Sequence, residues 1–559
     1  MQKTALISVY NKTDIEKFAK ELVNLGWKII SSGGTAKYLS DAGIKVTDVA
    51  EITGMPPILD HRVVTLHPKI FGGLLAENTP EHLSELEKYG IPYIDLVCVD
   101  LYPLEEETKN PNATRESVIE KTDIGGPTII RSSAKGGRIV VCDKDDRKKV
   151  LDWLKDEEPD AESFKRTLAA KAEYTVAKYC MTSAEYLSGG KFSGFLGEEA
   201  LICKYGENAW QTPAFLFKTK TADPLALAHS NFKRLSGEPL SYNNLADLDR
   251  LLQTMTHIAA GFDFNNKKVP KIAIGVKHGN PCGVAVGDNS LNVLEKMLEG
   301  DLRAIFGGLI MVNFPIGEEE ANTLLTFKMP EGRRRLLDGI FAPEFAGTAV
   351  EKLKRKGDKC RFLANPALAI LDRTSLDISP RFRYVRGGFL QQPNYTFVPN
   401  LSKTPFDKSV SRGVFDSTLK DVMLAWAIGC TSNSNTITLV KDGKLLGNGV
   451  GQQDRVGAAK LAIFRADDAV AFAKNLDIGC PLGHPMSKLA EADLENAVAY
   501  SESFFPCPDA VEVLINRGIK TIFSTSGSVN DEKIIELCKN KGVNLILIPD
   551  AEARGFYQH

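Results

Sequence analysis

The 559-residue chain has almost no excess charge of either sign: 69 Lys and Arg stand against 71 Asp and Glu, a formal net charge of −2. A surface that gathers nucleic acid or anionic membrane by bulk attraction is therefore not expected. Cysteine is sparse and scattered. The ten residues (98, 142, 180, 203, 282, 360, 430, 480, 507 and 538) never form Cys-x-x-Cys, which argues against a disulfide framework or a zinc ribbon and for a reducing, cytoplasmic setting. Long apolar runs are missing too. None nears the roughly 18–20 residues of a membrane-spanning helix, and the short run at 5–9 is too brief for a signal peptide. Low-complexity tracts and repeats of about 20–50 residues are also lacking. Length alone leaves room for three or four units of about 150 residues.

The first stretch alternates the periods of strand and helix. An apolar run at 5–9 precedes a helical pattern at 13–25, with Ile15, Phe18, Ala19 and Leu22 on one face, and a second run follows at 27–30. Further runs at 96–99 and 139–141 continue a β-α-β alternation, which predicts an α/β domain with a parallel sheet covered on both faces. Glycine and serine cluster at 187–197, so a boundary is placed near 195. Runs at 271–276, 308–312, 436–440 and 520–524 predict a larger second α/β region of one or two subdomains. Arg333, Arg334 and Arg335 read as a solvated face, since three cations are too few for a nucleic-acid groove.

Three segments of the first region carry chemistry. SSGGTAK (31–37) follows a strand and opens a helix, where glycines, hydroxyls and helix N–H groups would cradle a phosphate. The plainer reading is a strand-to-helix turn capped by Thr35. RVVTLHPKIFGG (62–73) crowds two cations, a histidine and a glycine pair together, and DIGGPTIIRSSAK (123–135) runs from an acid to Arg131 and Lys135.

Together with LYP (101–103), these segments resemble the cyclohydrolase domain of the bifunctional AICAR transformylase/IMP cyclohydrolase family of purine biosynthesis. The resemblance continues in order through KYGENAWQ (204–211), GEPLSYNN (237–244), VKHGNPCG (276–283), DGIFAP (338–343), SNS (432–434), GVGQQDR (449–455), FFP (504–506) with Asp509, and SGS (526–528). It implies a methylglyoxal-synthase-like domain over 1–195 for ring closure. It also implies a two-lobed, cytidine-deaminase-like transformylase region over 196–559. For the cyclohydrolase it gives Tyr102, Asp123 and Lys135 as catalytic, with Ser32, Gly34, Thr35, Arg62 and Thr65 on the nucleotide. For the transformylase it gives Lys277, His278 and Asn433 as catalytic. Lys204, Tyr205, Asn244, Asp338, Arg455 and Arg554 then bind substrate, and Phe504 and Asp509 line the folate side. The co-substrate is 10-formyltetrahydrofolate, no metal is implied for catalysis, and a homodimer is expected with neither nucleic acid nor membrane as partner.

That assignment makes chemical sense at Lys277-His278. The 5-amino group of an aminoimidazole carboxamide is a poor nucleophile because its lone pair is delocalised, so transfer needs a base for the departing proton and a cation near the oxyanion. The chain departs from the family's usual reading at Val64 and Lys204, where lysine and arginine are common. It departs also at Asp100, Trp210 and Glu502, where asparagine, histidine and aspartate are common. Val64 leaves a second reading, a transformylase whose first domain binds nucleotide but closes the ring poorly. Zinc-dependent deamination is the third, and it lacks its ligands: Pro281-Cys282 is not followed by the second cysteine of Pro-Cys-x-x-Cys.

Overall fold

The computed structural model describes residues 2–219, 221–401, 415–474 and 491–557. The chain separates into two compact units, Met1–Leu196 and Gly197–His559.

In the first unit the apolar runs become strands β1 (Thr4–Ser8), β2 (Lys28–Ser31), β3 (Val46–Asp48), β4 (Leu96–Val99) and β5 (Ile139–Val141). They form one parallel sheet in the order β3-β2-β1-β4-β5. Helix α1 (Ile15–Asn24) buries Ile15, Phe18, Ala19 and Leu22, the face its periodicity predicted. Helix α2 (Gly33–Asp41) follows β2, and α3 (Gly125–Lys135) precedes β5. The order reverses between β1 and β4, so the loops leaving their carboxyl ends part and open a crevice, the usual place for a ligand in an open α/β sheet.

The second unit is built on an eleven-stranded mixed sheet. A small hairpin, β6 (Glu198–Cys203) with β7 (Ala214–Lys218), and strand β8 (Lys233–Ser236) lead into the long helix α4 (Tyr242–Phe264). A hairpin follows, β9 (Lys271–Lys277) with β10 (Asn280–Gly287). Three helix-strand pairs come next: α5 (Ser290–Glu299) and β11 (Leu309–Val312), α6 (Glu318–Thr326) and β12 (Gly339–Ala342), α7 (Gly347–Leu353) and β13 (Arg361–Ala364). After a separate hairpin, β14 (Arg381–Val385) with β15 (Gly388–Gln392), the same order recurs. Helix α8 (Phe415–Gly429) leads into the hairpin β16 (Ile437–Lys441) and β17 (Lys444–Gly449). Then come α9 (Arg455–Lys474) and β18 (Val498–Ser501), α10 (Asp509–Asn516) and β19 (Thr521–Ser526), α11 (Asp531–Lys541) and β20 (Asn544–Pro549).

Two lobes of one design thus meet where β10 pairs antiparallel with β17, in the order β20-β19-β18-β16-β17-β10-β9-β11-β12-β13-β8. The two halves run in opposite senses, which decides what shares an edge. The turn after Lys277 lies on the same edge as the starts of β11, β12 and β13, the start of β16, and the ends of β18, β19 and β20. Apolar cores fill both faces; Trp426 of α8 and Met255 and Ile258 of α4 sit in the largest. One sequence expectation fails here. Arg335 is 2% exposed and donates to the Leu324 and Phe327 carbonyls, each at 2.8 Å, so it closes the end of α6 and is no solvated residue.

Candidate active sites

At the crevice of the first unit, SSGGTAK leaves β2 and opens α2, as its place in the sequence suggested, but without the expected cap. Ser32 is the first residue of the turn into α2 and makes no side-chain capping bond, and Gly33 takes φ +52°, a left-handed value that suits glycine. A Cβ at Gly33 or Gly34 would meet nothing within 4 Å, so this helix start faces open space. Thr35 does not cap α2: its hydroxyl donates to the Val9 carbonyl (3.1 Å) and accepts from the Val9 N–H (3.2 Å), binding the turn to β1.

The loops after β1 and β4 are joined by Asp100, whose carboxylate accepts the backbone N–H groups of Tyr10 and Asn11. Tyr10 and Tyr102 pack edge to face, 5.6 Å between ring centres. Asp123 folds over the start of α3, accepting from the Gly126 N–H at 2.8 Å, while its own N–H donates to the Tyr179 hydroxyl at 2.6 Å. Thr65 Oγ1 lies close by: it stands 3.2 Å from where a Gly125 Cβ would be. Burial raises the carboxyl pKa of Asp123, against the pull of the Gly126 and Gly125 N–H groups. Tyr102 titrates high because of burial and then the nearby Asp123 charge. Tyr102, Asp123, Thr65 and the α2 turn therefore line one end of the sheet. Lys135 does not join them, being exposed at the opposite end of α3, about 15 Å along the axis from Gly125. Arg62 is exposed and ion-paired with Glu120, and Lys69 donates to the Ile52 carbonyl at 2.9 Å. His67, conspicuous in the sequence, serves its own loop. Its Nδ1 accepts the Lys69 N–H at 3.1 Å and caps the helix begun by Pro68.

In the second unit, Lys277 ends β9 and His278 begins the turn that follows. Lys277 and Asn280 pair across a two-residue turn in which His278 has φ 54° and Gly279 φ 73°, the geometry of a type I′ hairpin. Lys277 Nζ donates to the Phe306 carbonyl at 2.6 Å, and His278 is exposed. Asp338 begins β12 on this edge, ion-paired with Arg355, its N–H on the Gly308 carbonyl at 3.0 Å. Lys204 reaches it through Glu238 (3.6 Å), which also meets Arg361 at 3.6 Å. Tyr205, half-buried, adjoins Lys204, and the loop they open is tied to α4 by Asn243 Nδ2 on the Glu207 carbonyl, 3.0 Å. Asn244 shares in a capping box with Ser241 at the start of α4.

The second lobe adds the segment 432–436 and the ends of β18–β20. Glu502 is fully buried and takes hydrogen bonds from Ser434 Oγ (2.7 Å) and the Thr436 N–H (3.1 Å), with Arg455 as its ion-pair partner. Arg455, expected on a substrate phosphate, is thus an interior partner of Glu502. Arg554 pairs with Asp550 at 2.7 Å and lies over the Phe504 ring, 5.6 Å from its centre. Burial acts to raise the Asp550 carboxyl, but hydrogen bonds from Thr525, Arg554 and Ser503 outweigh it and hold the pKa below the usual carboxylate range. Phe504 also borders Gly527, leaving a ring face beside a residue without a side chain. Asp509 is exposed at the start of α10. Asn433 is reached from α4, where Arg250 Nη2 donates to its Oδ1 at 3.3 Å. Neither Arg250 nor Asp247, one turn earlier on α4, carried a motif that sequence reading could seize.

Comparison with known proteins agrees along almost the whole chain. A family model described as the AICARFT/IMPCHase bienzyme matches residues 137–465, and an MGS-like domain matches 14–128. A protein of Oceanobacillus iheyensis named bifunctional purine biosynthesis protein PurH is 34% identical, covering 98% of each chain. One of the same name from Anoxybacillus flavithermus is 35% identical, again over 98% of each. A solved structure described as the crystal structure of ForH is 35% identical and covers 34% of this chain and 100% of that one, at a TM-score of 0.30. Similarity that runs through both units at this level has one reading: the chain belongs to the AICARFT/IMPCHase bienzyme family.

Proposed function

We propose that the second unit transfers a formyl group from 10-formyltetrahydrofolate to the 5-amino group of AICAR, and that the first unit closes the product to IMP with loss of water. The observation that carries this is the shared edge of the eleven-stranded sheet, where Lys277-His278 of one lobe and Asn433 of the other are both reached from helix α4. The co-substrate supplies the electrophilic formyl carbon, whose bond to N10 breaks as the new one forms, so that tetrahydrofolate leaves with a proton on N10. His278, at the tip of an exposed turn, takes the amine proton; Lys277 offers its cation to the oxygen that gains charge, and Asn433 holds the carboxamide. The Phe504 ring beside Gly527 accepts a flat heterocycle, with Asp509 at its rim, and Arg554 meets anionic groups there.

Ring closure is intramolecular, so most of its acceleration comes from holding the carboxamide nitrogen against the formamide carbon. Tyr102 and Asp123 supply the proton-handling groups, and the α2 turn with Ser32 and Gly34 receives the phosphate, braced against Val9 by Thr35. The chain acts as a homodimer in the cytoplasm; among the described residues no helix is long and apolar enough to cross a membrane.

Purified full-length protein given AICAR and 10-formyltetrahydrofolate is expected to produce IMP. Formylated intermediate that accumulates without IMP would remove ring closure from the reading and leave transfer. Lys135→Ala is the sharper probe of the first unit: cyclisation is expected to be unchanged, and a large loss would return Lys135 to the site that Tyr102 and Asp123 line.

A further inference from the structure

Two of the three groups assigned to formyl transfer stand on irregular backbone. His278 is at a hairpin tip and Asn433 is in the segment between α8 and β16, whereas α4 is a 23-residue helix with an almost continuously buried body. Asp247 and Arg250 are three residues apart on it, and so share a face. Asp247 Oδ1 accepts the Gly279 N–H at 2.6 Å, so the turn is held at the residue that follows His278. The turn needs that hold, because His278 occupies the left-handed region, which costs a residue with a Cβ about 1–2 kcal/mol.

Arg250 is 3% exposed. Its guanidinium donates to the Thr431 carbonyl, to the Tyr557 carbonyl (3.4 Å) and to Asn433 Oδ1 (3.3 Å), and it lies 4.2 Å from the centre of the Tyr557 ring. Arginine has only donors, so it fixes the amide oxygen of Asn433 towards itself and turns the NH2 group the other way.

We propose that Asp247 and Arg250 are positioning residues for formyl transfer: Asp247 sets the turn that presents His278, Arg250 sets the amide of Asn433, and the helix between them fixes the spacing of the two groups. The inference rests on the formyl-transfer reading of this edge. The molecule contains its own control. In the other lobe Asp421 of α8 accepts from the Asp442 and Gly443 N–H groups, at 2.8 and 2.6 Å, and so holds the equivalent turn, which carries no imidazole.

The test is steady-state AICAR formylation by the full chain, with melting curves for every variant. Asp247→Asn keeps the shape but loses the charge and one acceptor. It is expected to lower kcat about 10²-fold, the size of effect a misplacement near 1 Å produces, with KM for AICAR little changed. Arg250→Lys keeps the charge without the planar fork, and should lower kcat and raise KM together. Asp421→Asn should lower the melting temperature as Asp247→Asn does and leave kcat intact. Equal loss of kcat in Asp247→Asn and Asp421→Asn, or a loss confined to KM in Asp247→Asn, would overturn the proposal. If Asp247→Asn does not fold, Asp247→Glu, which retains charge and acceptors but displaces the carboxylate by one methylene, must show the kcat loss in its place. A wild-type chain inactive in this assay would overturn the formyl-transfer reading and the inference with it. An active wild type with an Asp247→Asn variant of unchanged kcat overturns the inference alone.

Discussion

The two lobes of the second unit repeat one construction and use it differently. Each has a long helix that sends a carboxylate onto a two-residue turn: Asp247 onto His278-Gly279, Asp421 onto Asp442-Gly443. In both turns the first residue has φ 54°, and a lysine stands just before it, Lys277 or Lys441. Lys277 donates to a carbonyl, while Lys441 is drawn into an ion pair with Asp493 at 2.7 Å. The left-handed residue, the glycine and the acid beneath them are therefore what the fold requires. The imidazole, and a lysine not tied to a carboxylate, are what the chemistry adds at one turn.

The largest effect should come from making the lobes alike. His278→Asn removes the base but places a residue that tolerates left-handed backbone, so the turn persists while kcat for formyl transfer falls about 10²–10⁴-fold. The converse, Asp442→His, should leave kcat unchanged, because that turn lies on the other edge of the sheet. Steady-state rates with melting curves check both; a fall in activity from Asp442→His would break the division between architecture and chemistry.

How much of this could be read beforehand follows the range of each interaction. The face of α1, the strands at 96–99 and 139–141 and the Lys277-His278 motif are local in sequence and were legible. The family resemblance placed Asn433 and Phe504 in one site. Asp247 and Arg250 were not legible, since their partners lie 32 and 183 residues away and only the sheet topology brings them together. Arg455 misled for a related reason: beside glycines it looked free for an anion, yet Glu502, 47 residues on, claims it. Lys135 was named catalytic by the resemblance alone, and it lies twelve positions from Asp123, at the far end of α3.

A smaller effect separates the two turn glycines. Alanine at either would have to take a left-handed φ, +73° at Gly279 and +70° at Gly443, a strain of about 1–2 kcal/mol. Around Gly279 a Cβ meets nothing within 4 Å, but at Gly443 it would stand 2.5 Å from Lys420 Cε and 2.8 Å from the Val286 carbonyl oxygen. The lysine can swing aside and the carbonyl, held within the sheet, cannot. Gly443→Ala should therefore lose more stability than Gly279→Ala, read as the drop in urea midpoint at constant slope. Equal losses would show that Val286 yields and that the turns are packed alike.

The smallest effect concerns pH and should be common to both lobes. Burial raises the carboxyl pKa of Asp247 and of Asp421, and hydrogen bonds from the turn N–H groups only partly offset it. A carboxyl that titrates higher in the folded chain than in the unfolded one contributes stability fully present below the unfolded value, about 3.9, and lost as the pH rises through the folded value. Across that window the folded state still holds a proton that the unfolded state has released, so the fold weakens with rising pH. Asp421→Asn removes the titration and should make the fall in urea midpoint shallower through the window. Asp247→Asn should flatten it in the same sense, because burial raises both acids and each accepts the N–H of its turn glycine; a response in one lobe alone would show that the two turns are held by different forces, and that their likeness is one of shape only.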